Sequence, residues 1–163
     1  MRKYTTSERL LLGIDPGISV MGYGLIRQRG DELCTVQYGI LALQKYTSSA
    51  CKLRKIFETV STLIDVHHPC HLALEAPFYG RNVQSMLKLG RAQGMAIAAA
   101  LRKQVPLTEY APRKIKHAVT GNGNASKEQV AHMLAAVLKL SLRPNQLDAS
   151  DALAVAVCHA YQR

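Results

Sequence analysis

Hydrophobic and polar residues follow two different spacings along this chain. Up to about residue 45, short apolar runs end at turn residues, which is typical of β-strands. Gly30-Asp31 lies between two of these runs and favours a hairpin turn, so we expect the first three strands to be antiparallel. Two more short apolar runs follow later in the chain. The predicted strands cover residues 10–15, 20–26, 33–43, 71–75 and 105–110.

Elsewhere, apolar residues recur every three or four positions, the spacing of an amphipathic helix. Pro112 suits the first turn of a short basic helix, and Ser126 with Gln129 forms a capping box that begins another. Strands that are separated by helices need crossover connections and should pair in parallel. The sequence therefore predicts a mixed α/β fold in a single domain over residues 1–163. The predicted helices cover about residues 53–64, 85–104, 112–120, 126–140 and 148–163.

The charge balance indicates a polyanionic partner. The 163 residues include 21 Lys and Arg against 11 Asp and Glu, which gives a formal net charge of +10. With 48% hydrophobic residues, the chain is too apolar to be a disordered basic tail. Its longest apolar stretches, at 95–101 and 152–158, are well short of the ~20 residues of a membrane-spanning helix, and residues 1–9 lack the pattern of a secretory signal. We therefore expect a cytoplasmic protein that does not enter a membrane.

The four cysteines do not indicate a disulfide framework or a zinc ribbon, because none of them forms a C-x-x-C pair. Reduced thiols are expected. The segment 67–71 contains imidazole and thiol groups that soft metals prefer, but its Pro69 is typical of the connection between a helix and a strand. No second ligand pair is near it in sequence, so we interpret this segment as a connection.

Four carboxylates occur where ordinary surface chemistry does not explain them. Asp15 and Glu75 each end an apolar run that should be a buried strand, and strand ends of this kind line the ligand crevice of open α/β sheets. Asp148 and Asp151 are three residues apart and therefore share one face of the last helix. Each has a simpler explanation when taken alone: helix capping for the second pair, and a turn before Pro16-Gly17 for Asp15.

Taken together in a basic protein, these acids suggest an oxygen-rich pocket for Mg²⁺ or Mn²⁺ that faces a phosphate backbone. Such a pocket suits two-metal phosphodiester hydrolysis. The aromatic segment directly after Glu75 would either stack on an unpaired base or fold back on the core, and basic groups beside the crevice would either contact phosphates or form solvated faces. The candidate DNA-contacting residues are Phe78, Tyr79, Arg81, Lys88, Arg91, Arg113, Lys114, Lys116 and Lys127.

Several motifs occur in order along nearly the whole chain, from about residue 10 to residue 160, and together they resemble the RuvC family of Holliday-junction resolvases. The resemblance implies a five-stranded RNase H-like mixed sheet flanked by helices, a homodimer, and Mg²⁺-dependent paired nicking of four-way DNA junctions in recombination and repair. It also implies the branch-migration complex RuvA-RuvB as a partner. The motifs are Gly13-Ile14-Asp15-Pro16-Gly17, Gly22-Tyr23-Gly24, Leu74-Glu75, the segments 87–94 and 148–154, and Ile115-Lys116.

Carried over by motif, the resemblance implies that Lys116 and Lys127 contact phosphate or support the transition state, and that Phe78 stacks on junction bases. Residues 1–8 match no motif of the family and are expected to form a flexible N-terminal extension. The acidic site, which would bind two Mg²⁺ ions and carry the catalysis together with Lys116, falls on Asp15, Glu75, Asp148 and Asp151.

Gly90, Gly94 and Ala98 form a row of small residues at four-residue spacing, which allows either close packing on the chain's own sheet or a helix contact across a two-fold axis. A four-way junction has two-fold symmetry, and the resemblance favours the dimer. Two other functions stay open. One is an RNase H-like nuclease that cuts RNA or hybrids, and the other is a junction-binding module without catalysis, whose acids only cap helices and balance charge.

Overall fold

The structure is a computed structural model, and it describes residues 7–77, 80 and 82–162. All the strands and helices predicted from the sequence are present, and their ends differ from the predictions by a few residues. In chain order the strands are β1 (Glu8–Asp15), β2 (Val20–Arg29), β3 (Glu32–Ala42), β4 (His71–Glu75) and β5 (Leu107–Tyr110). The helices are α1 (Ser49–His67), α2 (Val83–Arg102), α3 (Pro112–Thr120), α4 (Lys127–Val137) and α5 (Leu147–Ala160).

The five strands form one sheet in the order β3-β2-β1-β4-β5. β2 is antiparallel to β1 and β3, whereas β4 is parallel to both β1 and β5, so the predicted mixed sheet is confirmed. It follows that β1, β3, β4 and β5 all end at the same edge, which we call the carboxyl edge. Because α1, α2 and α3 each follow one of these strands, they begin at this edge.

Helices cover both faces of the sheet. Neighbouring residues of β1 point to opposite faces, so Leu11 and Leu12 belong to different hydrophobic cores. Leu12 packs with apolar residues of α1 and α2 such as Ile56 and Ala96. Leu11 packs with residues of α3, α4 and α5. The sheet is thus buried on both sides, and polar side chains of its middle strands reach solvent only near the strand ends.

α5 packs very close to β1 and β2, and two glycines make this approach possible. A Cβ atom on Gly13 would collide with the backbone carbonyl of Ala152, and one on Gly22 would collide with the carbonyl of Asp148. Gly22 is the register partner of Asp15. The start of α5 is therefore held directly over the end of β1, at the carboxyl edge.

The expected N-terminal extension over residues 1–8 is wrong at its last position. Glu8 is the first residue of β1 and pairs with Arg29 of β2. Its carboxylate lies 2.7 Å from both Arg27 Nε and Arg29 Nη2, so an ion-pair cluster extends the β1–β2 ladder to this residue. Residues 1–6 lie outside the described part of the chain.

The row of small residues on α2 does not pack on the chain's own sheet. Gly90 and Gly94 are exposed, and a Cβ atom on either one would meet nothing within 4 Å. The first of the two interpretations of this row is therefore wrong. None of the described helices is both long and apolar enough to span a bilayer.

Candidate acidic active site

The four predicted acids come from three elements that meet at the carboxyl edge. Asp15 is the last residue of β1 and Glu75 the last of β4, and these strands are parallel neighbours whose register pairs the preceding residues. Asp148 and Asp151 lie in the first turns of α5, which Gly22 holds over the end of β1. Residues far apart in sequence are thus brought to one place by strand order and by the close packing of α5.

The carboxyl groups form two pairs. Asp15 and Glu75 are within hydrogen-bonding reach of each other, so one of the two side chains must carry a proton to make that bond. In the other pair, Lys127 Nζ lies 3.3 Å from Asp148 Oδ1 and 2.9 Å from Asp151 Oδ2. The ammonium group of Lys127 therefore offsets the repulsion within the α5 pair, while the strand-end pair has no cation in hydrogen-bond contact among the described residues.

A capping box fixes the position of Lys127. It is the first residue of α4, directly after the N-cap Ser126. The hydroxyl of Ser126 accepts a bond from the Gln129 backbone N–H, and the Gln129 side chain accepts one from the Ser126 N–H, at 3.1 and 2.8 Å. The sequence predicted this box and a phosphate-contacting role for Lys127, but not the ion pairs of Lys127 with Asp148 and Asp151.

Burial raises the pKa of the Asp15 carboxyl well above its ordinary value, and the hydrogen bond and negative charge of Glu75 raise it further. Burial also raises the pKa of Asp151, although its contact with Lys127 opposes that rise. Partial burial alone would lower the pKa of the Lys127 ammonium, but its ion pairs with Asp151 and Asp148 outweigh burial and raise it. The site therefore carries more negative charge than its own residues neutralise.

Two cavities open beside Glu75. One, of about 180 Å³, is lined by Glu75, Asp151, Lys116 and Lys127, so the structure brings Lys116 next to the acids. The other, of about 120 Å³, is lined by Asp15, Glu75 and the backbone that follows them. A phosphate group that entered the first cavity would find both cations and carboxylates around it.

The donor set fits a hard divalent cation. All the converging ligands are carboxylate oxygens, the type that Mg²⁺ and Mn²⁺ prefer. Burial first, and then the neighbouring Glu75 and Asp151, raise the pKa of Asp15, so a cation bound here would favour its charged form. Among the described residues, however, no group of three or more acidic, histidine or cysteine side chains is arranged to hold one ion. In this structure the carboxylates are instead paired, Asp15 with Glu75 and the two α5 acids with Lys127.

The other predicted DNA-contacting residues are spread over several places. Lys88 and Arg91 lie on α2 beside a separate cavity. Arg113 is exposed on α3. The ammonium of Lys114 lies 5.3 Å from the centre of the Tyr110 ring, so this cation is directed at the tyrosine. Phe78, Tyr79 and Arg81 lie outside the described residues.

Sequence reasoning missed Gln93, which is 5% exposed on α2. Its Nε2 donates to the backbone carbonyl of Glu75 at 3.1 Å and to Glu109 Oε2 at 3.5 Å. The amide therefore ties the end of β4 to α2 and helps to orient Glu75. The signal in the sequence is a lone amide between Ala92 and Ala96, on the helix face that is otherwise made of small apolar residues.

Comparison with known proteins shows which family the chain belongs to. The sequence profile described as "Crossover junction endodeoxyribonuclease RuvC" matches residues 11–159 of the chain. The chain belongs to the RuvC family. RuvC of Cytophaga hutchinsonii is 61% identical over 97% of this chain and 79% of that protein, and RuvC of Christiangramia forsetii is 57% identical over 95% of this chain and 81% of that protein.

Solved RuvC structures share the fold. A structure of T. thermophilus RuvC in complex with a Holliday junction substrate superposes with a TM-score of 0.87 at 30% identity, over 94% of this chain and 93% of that one. The yeast mitochondrial Holliday junction resolvase superposes with a TM-score of 0.68 at 17% identity, over 96% of this chain and 79% of that one, which shows a common fold. The RNase H-like sheet expected from the RuvC resemblance is therefore confirmed.

Proposed function

We propose that this RuvC-family chain is a Mg²⁺-dependent endonuclease that resolves four-way DNA junctions by paired, symmetric nicking. The observation that carries the proposal is the meeting of four carboxylates from β1, β4 and α5 with two lysines at the carboxyl edge. A basic protein with a net charge of +10 suits a polyanionic substrate. RuvC proteins that are 61% and 57% identical are named as crossover junction endodeoxyribonucleases.

Asp15, Glu75, Asp148 and Asp151 would hold the metal, two ions per site, with Mn²⁺ as a possible substitute. When bound, the ions supply an activated water and stabilise the leaving oxygen of the phosphodiester. Lys116 and Lys127 reach the same cavity as Glu75 and would stabilise negative charge that develops on the phosphate. Gln93 would keep Glu75 in place through the backbone bond described above.

The test is cleavage of a mobile synthetic junction by the wild type and by Glu75→Gln. The substitution keeps the size of the side chain but removes its charge. We expect strand cleavage to fall at least ~10²-fold, the scale of losing one preorganised electrostatic group, while junction binding in EDTA persists. The matched control is Asp31→Asn, an exposed acid in the β2–β3 turn, which should cleave like the wild type. Full cleavage by Glu75→Gln would contradict the proposal and favour a non-catalytic binding module.

Parallel reactions on linear duplex and on an RNA–DNA hybrid separate the remaining alternative. A junction resolvase should nick the junction in symmetric pairs and leave both other substrates intact. Preferential cleavage of the hybrid would instead assign an RNase H-like activity to the same acidic site.

The proposal includes a homodimer, and the outer face of α2 is the surface that we assign to it. Val83, Leu87 and Leu101 are 67%, 59% and 64% exposed on this helix, and Gly90 and Gly94 between them leave open space. Exposed apolar side chains beside small residues are suited to close helix contact. A two-fold dimer would present two acidic sites to a two-fold symmetric junction.

Leu101→Glu tests this interface by sedimentation or light scattering. We expect the variant to be monomeric and to nick the two strands independently, because a charge within an apolar interface is costly to bury. Val66→Glu is the matched control, since Val66 is also 64% exposed but lies on α1. If both variants dimerise like the wild type, the interface lies elsewhere. Contact with RuvA-RuvB stays a prediction from the family, and a cytoplasmic location stays a prediction from the sequence.

A further inference from the structure

A cavity of about 230 Å³ lies on the α1–α2 side of the carboxyl edge, apart from the two cavities beside Glu75. It is bounded by the start of α1, by α2, and by the loop that connects β1 to β2. Three cationic side chains line it: Lys52 from α1, and Lys88 and Arg91 from α2. The hydroxyls of Ser19, Thr47 and Ser49 complete its polar rim, and none of the described residues that line it is acidic.

These three cations have no counter-ion within the described chain. Lys52, Lys88 and Arg91 take part in none of its ion pairs or side-chain hydrogen bonds. Other lysines on the same helices do find partners: Lys55 contacts Glu58 at 3.7 Å, and Lys103, which follows α2, contacts Asp65 at 2.7 Å. Three like charges around one cavity repel each other, and a bound anion would remove that repulsion.

The start of α1 strengthens the same argument. An acidic residue normally favours the first turn of a helix, because backbone N–H groups make this end positive. α1 has no acid in its first turn and places Lys52 there instead, and a cation at this end disfavours the helix. The Ser48 side chain accepts a bond from the Cys51 N–H, while the N–H groups of Ser49 and Ala50 have no protein acceptor among the described residues.

The size and lining of the cavity favour one ligand class. Its volume is below the ~300–1,000 Å³ of pockets for drug-sized molecules, so it suits a small group on a larger ligand. Leu43, Leu53 and Ile56 provide an apolar floor under the cationic rim. A phosphodiester with part of its sugar matches both features, since the charge faces the rim and the carbon skeleton faces the floor.

We propose that this cavity binds a backbone phosphate of the junction DNA, separate from the phosphate that is cleaved, and that Lys52 is one of its principal ligands. This proposal rests on the proposed function and deepens it. The cavity and the acidic site are built on the same two elements. The loop that begins after Asp15 lines the cavity through Ser19. Helix α2 carries both Arg91, which lines the cavity, and Gln93, which bonds to the Glu75 backbone. A strand held in the cavity would therefore be fixed relative to the acids.

The experiment measures junction binding in EDTA by fluorescence anisotropy over about 50 to about 200 mM salt. Each phosphate contact contributes ~0.9 to the slope of log K against log salt. We expect Lys52→Gln to reduce the slope by about that amount and Lys52→Arg to restore it. Lys55→Gln, one turn further along α1 and already paired with Glu58, should leave the slope unchanged. Equal slopes for Lys52→Gln and Lys55→Gln would overturn the proposal.

Misfolding does not obscure this test. Because Lys52 opposes the dipole of α1, we expect Lys52→Gln to unfold at a temperature no lower than the wild type. Inorganic phosphate tests whether the cavity binds free phosphate instead of DNA. The assignment to DNA is wrong if phosphate raises the unfolding temperature of the wild type but not of Lys52→Gln, while the salt slope of DNA binding is the same for both proteins. If the wild type shows no preference for junctions, the proposed function fails. A reduced salt slope of Lys52→Gln on plain duplex would still support the phosphate site in that case.

Discussion

At the carboxyl edge, Asp15 and Glu75 bring two carboxyls together, and Asp148 and Asp151 add two more from the start of α5. At the opposite edge, the same helix ends in His159, which is buried with 8% exposure. Both edges thus hold titratable groups out of water. They differ in how those groups are satisfied, and the difference separates the part of the molecule suited to chemistry from the part that stabilises the fold.

The polar groups around His159 are joined by hydrogen bonds. Arg9 can only donate, and its Nη2 lies 3.3 Å from His159 Nε2, so His159 Nε2 is the acceptor. The proton of the His159 ring is therefore on Nδ1, which donates to the Tyr110 hydroxyl oxygen at 2.6 Å. The His71 ring stacks on His159 with centroids 3.9 Å apart, and His71 Nε2 bonds with Thr108 Oγ1 at 2.9 Å. A neutral imidazole satisfies every partner in this cluster.

The pKa shifts express this contrast. Burial, with the nearby charges of His71 and Arg9, lowers the pKa of His159 to about 4, so the neutral form that the cluster needs is the one present at pH 7. Burial also raises the pKa of Asp15, but there the neighbouring groups are carboxyls, so the proton relieves their repulsion and joins Asp15 to Glu75. The buried carboxyls therefore lower the stability of the fold at the carboxyl edge, where a bound cation would restore it. The hydrogen-bonded cluster at the opposite edge raises the stability.

The largest effect that we predict comes from Asp15→Asn. Cleavage of the junction should fall at least ~10²-fold, because a candidate metal ligand is lost. Without divalent cations at pH 8, the same variant should be more stable than the wild type by about 1–3 kcal/mol, because Asn is neutral at any pH, whereas folding must either keep a proton on the Asp15 carboxyl above its ordinary pKa or bury its charge. Urea unfolding in EDTA measures the second effect.

The sign of this change follows from the raised pKa of Asp15. The folded state binds the proton more tightly than the unfolded state, so this contribution to stability is complete below the unfolded pKa of about 3.9 and is lost as the pH rises through the folded value. Asp15→Asn should therefore flatten the decline of stability toward alkaline pH. Asp31→Asn, in an exposed turn, should change neither curve. An Asp15→Asn protein less stable than the wild type at pH 8 would refute the contrast between the two edges.

Much of the carboxyl edge was predictable, because its signals are local. Apolar runs that end in Asp15 and Glu75 mark strand ends, the spacing of Asp148 and Asp151 marks one helix face, and a Ser-Gln capping box marks the start of α4. The same pattern predicted five strands and a mixed sheet, and the resemblance to RuvC motifs added the RNase H-like fold. These features depend on residues that are neighbours in sequence, so the pattern alone carries them.

The partners of buried polar groups could not be predicted in this way. His71 was predicted as the first residue of a strand, and β4 confirms this, but nothing in the sequence indicated that its ring stacks on His159 from the far end of the chain. Gln93 and Lys52 also have roles that depend on which helix faces lie against the strand ends. Such contacts follow from strand order and helix packing, which a single sequence does not specify.

The next largest effect concerns acid stability. The unfolded pKa of histidine is about 6.5 and the folded pKa of His159 is about 4, so the unfolded state binds the extra proton first as the pH falls. The wild type should lose on the order of 2–3 kcal/mol of stability between about pH 6.5 and pH 4 from this group. A proton on Nε2 would also face the guanidinium of Arg9.

His159→Gln should flatten this acid decline, although it also costs about 1–3 kcal/mol at pH 7 through lost hydrogen bonds. Denaturant unfolding at several pH values measures both changes. His132→Gln, on the exposed side of α4, is the matched control and should behave like the wild type. An unchanged pH dependence in His159→Gln would mean that the cluster at the opposite edge does not hold its imidazole neutral.

The smallest effect compares two lysines that each bridge elements of the fold. Lys103 contacts Asp65 at 2.7 Å, and Lys127 contacts Asp148 and Asp151 at 3.3 and 2.9 Å, all in partly exposed positions. Replacing either lysine by Gln should cost less than about 1 kcal/mol, as is usual for such ion pairs. Lys127→Gln should nevertheless cost a few tenths more, because it leaves two carboxylates of α5 facing each other. Added Mg²⁺ should restore the stability of Lys127→Gln but not that of Lys103→Gln, because only the loss of Lys127 leaves a group of acids that a divalent cation can neutralise. Thermal unfolding with and without Mg²⁺ measures this difference. An equal response from Lys103→Gln would argue against metal binding at the carboxyl edge.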